Sequence, residues 1–209
     1  QLLINDNDQA HFIDHGYVVL ENILDEDLLA LARVKCDAAV AFQEEQMRNA
    51  SKIDDGINLL DRRYFISGYS KIDSQLNYLL FSDLMADICA ATIGNTAYLL
   101  NEQFVVKMHD PQSVFAWHQD SGYGIYRSDA GSHTPYVTCW IALDDMTEAN
   151  GTISILPFER AGGSTLVEHV WNESEAALVG YVGNDSGVLI EISAGSVVCF
   201  SSVALHRSG

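Results

Sequence analysis

"FAWHQDSG", residues 115–122, sets a histidine and an aspartate two positions apart inside an aromatic, apolar run. In an extended strand, residues i and i+2 point to the same side. On that reading His118 and Asp120 aim an imidazole and a carboxylate at one point. Buried ionisable groups cost free energy unless they are paired or bind a metal, so the pattern asks for a third group. His206, in "SSVALHRSG" at residues 201–209, is the best candidate, because it follows a strand-like run late in the chain. Two imidazoles and one carboxylate on one face leave metal positions open, the facial triad of non-haem Fe(II) oxygenases. A His-x-Asp pair alone carries little weight, since most such pairs in strands are structural. The surroundings must supply the rest.

The bulk composition narrows the classes. A chain of 209 residues, 48% hydrophobic, can fill one sizeable core and is not a disordered polypeptide. Eleven basic against 29 acidic residues give a formal charge of −18, which repels nucleic acid and anionic membrane surfaces. No apolar run reaches the ~18 residues of a membrane span. The opening QLLINDNDQA has no basic region of the kind that begins a signal peptide. Cys36, Cys89, Cys139 and Cys199 lie in apolar contexts with no CxxC spacing. They read as four buried thiols in a reducing, cytoplasmic setting. The expected partner is a small molecule, with neither nucleic acid nor membrane. Nothing in the pattern specifies an oligomeric state.

The chain changes texture near residue 95. Before it, the sequence predicts a short helix from Asp8 to His15 stopped by Gly16, and a β-prone run Tyr17–Leu20. Asp25 offers an N-cap to a helix with Leu28, Leu31, Val34, Ala38 and Phe42 at helical spacing. Residues 49–75 read as a long polar loop, and residues 82–93 as another helix ended by Gly94. After it come short β-prone runs at Ala97–Met108, Tyr136–Leu143, Thr152–Leu156, Gly187–Ile192 and Ser196–Ser201, separated by Gly, Asn and Pro turn signals. The expectation is one domain over 1–209, mainly β, with a mostly helical part (1–95) packed on a sandwich or barrel core (96–209).

"WHQD" at 117–120, "CWIALDDMTEANGTISILP" at 139–157 and "AGSVVCFSSVALHRSG" at 194–209 together resemble the phytanoyl-CoA dioxygenase family. The opening "FIDHGYVVLENILDEDLLAL" at 12–31 is similar to that family's first helix, strand and helix. The resemblance implies a double-stranded β-helix (a jelly-roll, cupin-like core flanked by α-helices) and a dioxygenase using Fe(II), 2-oxoglutarate and O2. It implies hydroxylation or another oxidation of a small organic metabolite, with release of succinate and CO2. It carries the iron-ligand role to His118, Asp120 and His206. Trp140 matches a tryptophan lining the co-substrate pocket, and Ser208 a hydroxyl that helps hold the 2-oxoglutarate tail. Asn101, Gln103 and Lys107 fall on a strand that usually contributes polar groups to that pocket. Asp120 keeps the carboxylate that halogenases on this scaffold replace, so hydroxylation or a related oxidation is expected. The segment "SGYGIYRSDAGSHTPYVT" at 121–138 is expected to loop over the site, offering Tyr123, Tyr126 and His133 to substrate.

One departure stands out. The family pattern has an arginine beyond the distal histidine that pairs with the 2-oxoglutarate tail, whereas this sequence ends at Gly209. The expectation is a chain cut short of that arginine and of its closing strand. Arg207, next to a ligand position, should point away from the site. His11, His15, His109 and His169 have no partner signal and read as surface or satisfied histidines. Two alternatives stay open on the residues alone: a cupin-type metal enzyme that does not use 2-oxoglutarate, and a non-catalytic jelly-roll binding protein with a relict site.

Overall fold

The computed structural model describes residues 4–50, 54–55, 58–60, 63–108, 114–126, 134–174 and 177–209. Helix α1 (Asp6–His15) starts under a capping box in which Asn5 accepts from the Asn7 and Asp8 amides while Asp8 accepts from that of Asn5. It stops at Gly16, whose φ of 84° is left-handed. A Cβ there would lie 2.6 Å from the Phe158 ring, so the position is doubly closed to other residues. Strand β1 (Tyr17–Leu20) follows, and then α2 (Glu26–Asn49), capped by Asp25 accepting from the Leu28 amide at 2.7 Å.

The inward row of α2 differs from the expected one. Ala32, Ala39 and Met47 are buried, while Val34 and Phe42 are exposed. Close approach to the neighbouring elements favours alanine, and alanine contributes little to an apolar count, so the large residues drew the stripe to the wrong side. Residues 49–75 are not simply a loop either. They hold β2 (Asp54–Asp55), β3 (Asn58–Leu59), β4 (Arg63–Ser67) and two 3₁₀ turns. Strand β4 pairs along its length with β5 (Gln103–Lys107), Arg63 opposite Lys107 and Ser67 opposite Gln103. That partner is remote in sequence, which local composition does not register. Helices α3 (Asn77–Leu80) and α4 (Asp83–Thr92) lie between them, α4 capped by Ser82. β5 is also shorter than expected, because residues 97–102 are irregular and Tyr98 and Leu100 are exposed.

The remaining elements build the frame of the site. They are β6 (Phe115–His118), α5 (Asp120–Tyr126), β7 (Val137–Ile141), β8 (Ile153–Leu156), α6 (Phe158–Ala161), β9 (Val170–Asn172), β10 (Ala177–Val179), β11 (Val188–Leu189), β12 (Val197–Ser201) and β13 (Leu205–Ser208). β9 and β10 carry no strong sequence signal, and the expected run Gly187–Ile192 shrinks to β11 plus a bridge from Ile192 to Met146. All pairings are antiparallel: β1-β12-β7, β11-β8-β13-β6, β2-β3-β4-β5 and β10-β9.

Alternation along β12 separates two cores. Val197 and Cys199 face the helices with Phe12, Leu20, Leu84 and Ile88. Val198 and Phe200 face the second sheet with Ile153, Ile155 and Ala204. Two strands from the first 95 residues join sheets with later ones: β1 is the edge strand beside β12, and β4 pairs with β5. Among the described residues no helix is long and apolar enough to cross a membrane.

Candidate metal centre

Strands β6 and β13 bring the two histidines together. His118 and His206 are direct register partners, with ring centroids 4.2 Å apart. His206 sits on its own strand, reached through a tight turn in which the Ala204 amide donates to Ser201 O at 2.7 Å. Asp120 arrives differently from the expectation. Strand β6 ends at His118, and Asp120 is the first residue of α5. Two hydrogen bonds turn the chain there, Ser121 N to Ser202 O at 3.0 Å and Gly122 N to Gln119 O at 2.9 Å. A break after the histidine, not strand alternation, swings the carboxylate back over the imidazoles.

One carboxylate oxygen, Asp120 Oδ1, lies 3.5 Å from His206 Nε2 and 3.8 Å from His118 Nε2. The ligand atoms of the three residues all fall within 4.8 Å of one another. Both rings are oriented from behind: His118 Nδ1 donates to Ala116 O at 2.8 Å, and His206 Nδ1 to Ala204 O at 3.1 Å. With Nδ1 donating behind, Nε2 of each ring is the atom turned to the carboxylate and available to an ion. The other carboxylate oxygen, Oδ2, accepts from Thr138 Oγ1 at 2.7 Å.

The electrostatics fit a cation site. Burial and the neighbouring His206 push His118 down to about 3, so its imidazole is neutral. Burial opposes ionisation of Asp120, but the charge and hydrogen bond of His206, then His118 and Thr138, hold its carboxyl below the usual range. Burial lowers His206, and the Asp120 carboxylate more than restores it. A carboxylate shared between two imidazoles is the donor set of a 2-His-1-carboxylate centre. Among the described residues it is the one cluster of three or more His, Cys, Asp or Glu side chains close enough to share an ion.

Other predicted residues are distributed unevenly. Ser208 is buried, two residues beyond His206, and its hydroxyl accepts from Lys107 Nζ at 3.3 Å. Lys107 also donates to the carbonyls of Gly151 and Gly209. Among the described residues no carboxylate pairs with it, and burial followed by the Arg63 charge lowers it to about 8. Trp140 shares a face of β7 with Thr138, the face turned to the second sheet. Gln103 and Asn101 are exposed at the far end of β5, hydrogen-bonded to each other and, from Gln103, to Ser67. Among the described residues no hydrogen bond links either to the triad.

The segment after the triad aspartate is partly helical, not wholly a loop. Tyr123 stands edge-on to His118, centroids 5.4 Å apart, and its hydroxyl accepts from the Leu178 amide. It therefore packs on a ligand ring. The backbone of Tyr126 ends α5, while its side chain, His133 and His109 lie outside the described residues. Arg207 does point away, its guanidinium 4.9 Å from the centre of the Trp117 ring.

Three supporting residues are not marked out by the sequence pattern. Thr138 is the first, and its place on the Trp140 face was the available signal. Gln119, 2% exposed, donates to Val203 O and Thr165 O and accepts from the Val167 amide, clamping the motif to two other segments. His169 Nε2 accepts from the Gln119 amide at 3.0 Å, and its ring fills the space beside Gly122 and Gly180. A Cβ on either glycine would sit 2.6 Å from that ring, which explains the glycine closing "WHQDSG".

The profile of the phytanoyl-CoA dioxygenase (PhyH) family matches residues 12–209. The chain belongs to the phytanoyl-CoA dioxygenase family. Solved structures agree on the fold of this family member. The epimerase SnoN, in complex with Fe3+, alpha ketoglutarate and nogalamycin RO, superposes with a TM-score of 0.68 at 16% identity, over 98% of this chain and 76% of that one. EctD from S. alaskensis, with 2-oxoglutarate and 5-hydroxyectoine, gives 0.69 at 18% identity, over 100% and 71%. EvdO2 from Micromonospora carbonacea var. aurantiaca gives 0.69 at 19%, over 99% and 84%. None of the curated proteins compared matches the chain.

Proposed function

We propose that this PhyH-family chain is a single-domain, non-haem Fe(II)- and 2-oxoglutarate-dependent oxygenase on a double-stranded β-helix, acting on a small organic substrate. The observation that carries the reading is the convergence of His118, Asp120 and His206, with both Nδ1 atoms engaged behind and both Nε2 atoms turned to one carboxylate oxygen. These three residues would hold Fe(II) and leave positions for a co-substrate and dioxygen. Iron and 2-oxoglutarate supply the dioxygen activation, with succinate and CO2 as co-products.

The chain's own groups orient and exclude. Ala116 O and Ala204 O fix the imidazole tautomers, and Thr138 holds Oδ2 so that Oδ1 faces the ion. Lys107 and Ser208 supply a cation and a hydroxyl for the far carboxylate of 2-oxoglutarate, on the His206 side of the site. Trp140 lies on the Thr138 face of β7, and Tyr123 stands edge-on to His118. SnoN and EctD, described with a keto acid, lend the fold-level support.

The test is an anaerobic titration with Fe(II) and then 2-oxoglutarate, following the visible charge-transfer band of a chelated keto acid. The reading requires the band, and requires its loss in His118→Ala and Asp120→Ala. Iron binding without the band would favour a cupin-type metal enzyme, and no iron binding a relict site.

A further inference from the structure

Behind the metal site, on the other face of β7, three thiols from three elements come together. Cys139 is on β7 and Cys199 on β12, both lining the core between sheet and helices, and Cys89 on α4 lies close enough to interact electrostatically with both. Cys139 and Cys199 are direct cross-strand partners. The ladder decides how close they come. Ser202 N donates to Tyr136 O at 2.8 Å and Ala142 N to Ser196 O at 3.0 Å, at the two ends of the pairing. Positions 136 and 142 are thus hydrogen-bonded pairs, and so by alternation are 138 and 140. Cys139–Cys199 falls on a non-hydrogen-bonded pair, where Cα atoms approach to about 4.5 Å, within the range of roughly 4.4–6.8 Å that a disulfide spans. A one-residue slip would have turned one of the two thiols to the other face of the sheet and broken the pair.

We infer that Cys139 and Cys199 form an oxidisable dithiol that closes to a cross-strand disulfide on reaction with a hydroperoxide such as hydrogen peroxide. Cys139 is the attacking group: it is the more accessible of the two, while Cys199 is wholly buried. The hydrogen bond between the thiols lowers Cys139 and raises Cys199, which favours Cys139 as the group that ionises and attacks. The Cys139 thiolate attacks a peroxide oxygen and the O–O bond breaks. Cys139 becomes a sulfenic acid, and hydroxide leaves. Cys199 sulfur then attacks the Cys139 sulfur, the S–O bond breaks, and water leaves with the Cys199 proton. Two thiols are oxidised by two electrons and one peroxide is reduced to two waters. A dithiol reductant reverses the step by exchange. The site needs neither iron nor 2-oxoglutarate, and it stands or falls independently of the proposed activity.

The experiment treats the folded, iron-free chain with graded hydrogen peroxide, blocks remaining thiols by alkylation, and maps the unreduced peptides by mass spectrometry. The expected result is a Cys139–Cys199 cross-linked peptide, two of the four free cysteines still alkylated, and all four recovered after dithiothreitol. In Cys199→Ala, Cys139 should stop at the sulfenic acid and be trapped by dimedone. The inference is overturned if all four cysteines remain alkylatable while methionine oxidises, if Cys139 proceeds to sulfinic acid without a cross-link, or if the cross-link joins Cys89 instead. The wild-type peptide map decides these outcomes even should the variant fold poorly.

Discussion

Replacing Thr138 by valine removes one hydroxyl and nothing else of size. Valine keeps the shape and the β-branching that suit β7. The lost contact is the 2.7 Å hydrogen bond to Asp120 Oδ2. A neutral donor on an ionised acceptor contributes about 1.5–3 kcal/mol. Asp120 is 27% exposed, so water can replace part of that interaction and the lower end applies. At about 1.4 kcal/mol per decade, about 1.5 kcal/mol corresponds to roughly a tenfold loss. That lies at the weak edge of the ~10–100-fold losses seen when a partner behind a metal ligand is removed. The expected Kd for Fe(II) therefore rises roughly tenfold in Thr138→Val. Thr138→Ser, which restores the hydroxyl, should recover most of it. Anaerobic competition against a chromophoric chelator measures the constant, and a thermal melt of the metal-free protein shows whether the fold is intact. An iron affinity within about twofold of wild type, in a well-folded Thr138→Val protein, would refute the claim that Thr138 sets the carboxylate.

The remaining predictions test other parts of the site. Lys107→Met should weaken 2-oxoglutarate but not 2-oxovalerate, which lacks the far carboxylate; equal losses for both acids would remove Lys107 from that role. Lys107 is held at about 8 in the free protein, and a bound carboxylate raises it. Affinity for 2-oxoglutarate should thus be full below pH 8 and fall as pH rises through it, by up to roughly tenfold per unit. A calorimetric Kd that is flat from pH 7 to 9 would contradict this. Gly122→Ala sets a methyl 2.6 Å from the His169 ring, and the expected outcome is a lower Tm together with weaker iron binding. Phe200→Ala empties a fully buried position that backs His206, ring centroids 4.6 Å apart. A loss of about 3–5 kcal/mol in denaturant stability is expected for such a truncation.

Features governed by local chemistry are legible in the residues alone. The caps at Asp25 and Ser82, the stop at Gly16 and the β-prone runs of β7, β8 and β12 depend on residues near in sequence. The late position of His206 after a β-rich run, together with the "WHQD" stretch, is enough to nominate all three members of the triad. Local patterns mislead where the deciding partner is distant. Strand β4 exists because β5 offers it a ladder, and the buried row of α2 is marked by small alanines whose neighbours are remote.

The sequence by itself therefore determined which groups are available: two imidazoles, one carboxylate and an apolar framework of β-prone runs. Only the tertiary structure decided how they meet. Asp120 reaches the histidines through a helical turn anchored on Ser202, Thr138 comes from another sheet, and Lys107 meets Ser208 across 101 residues. The register of β7 on β12 likewise places two cysteines on a narrow pair. Such placements depend on long-range pairing and on the shape of what packs behind, as His169 does between two glycines, and a one-residue slip in register would alter them without changing a single local preference.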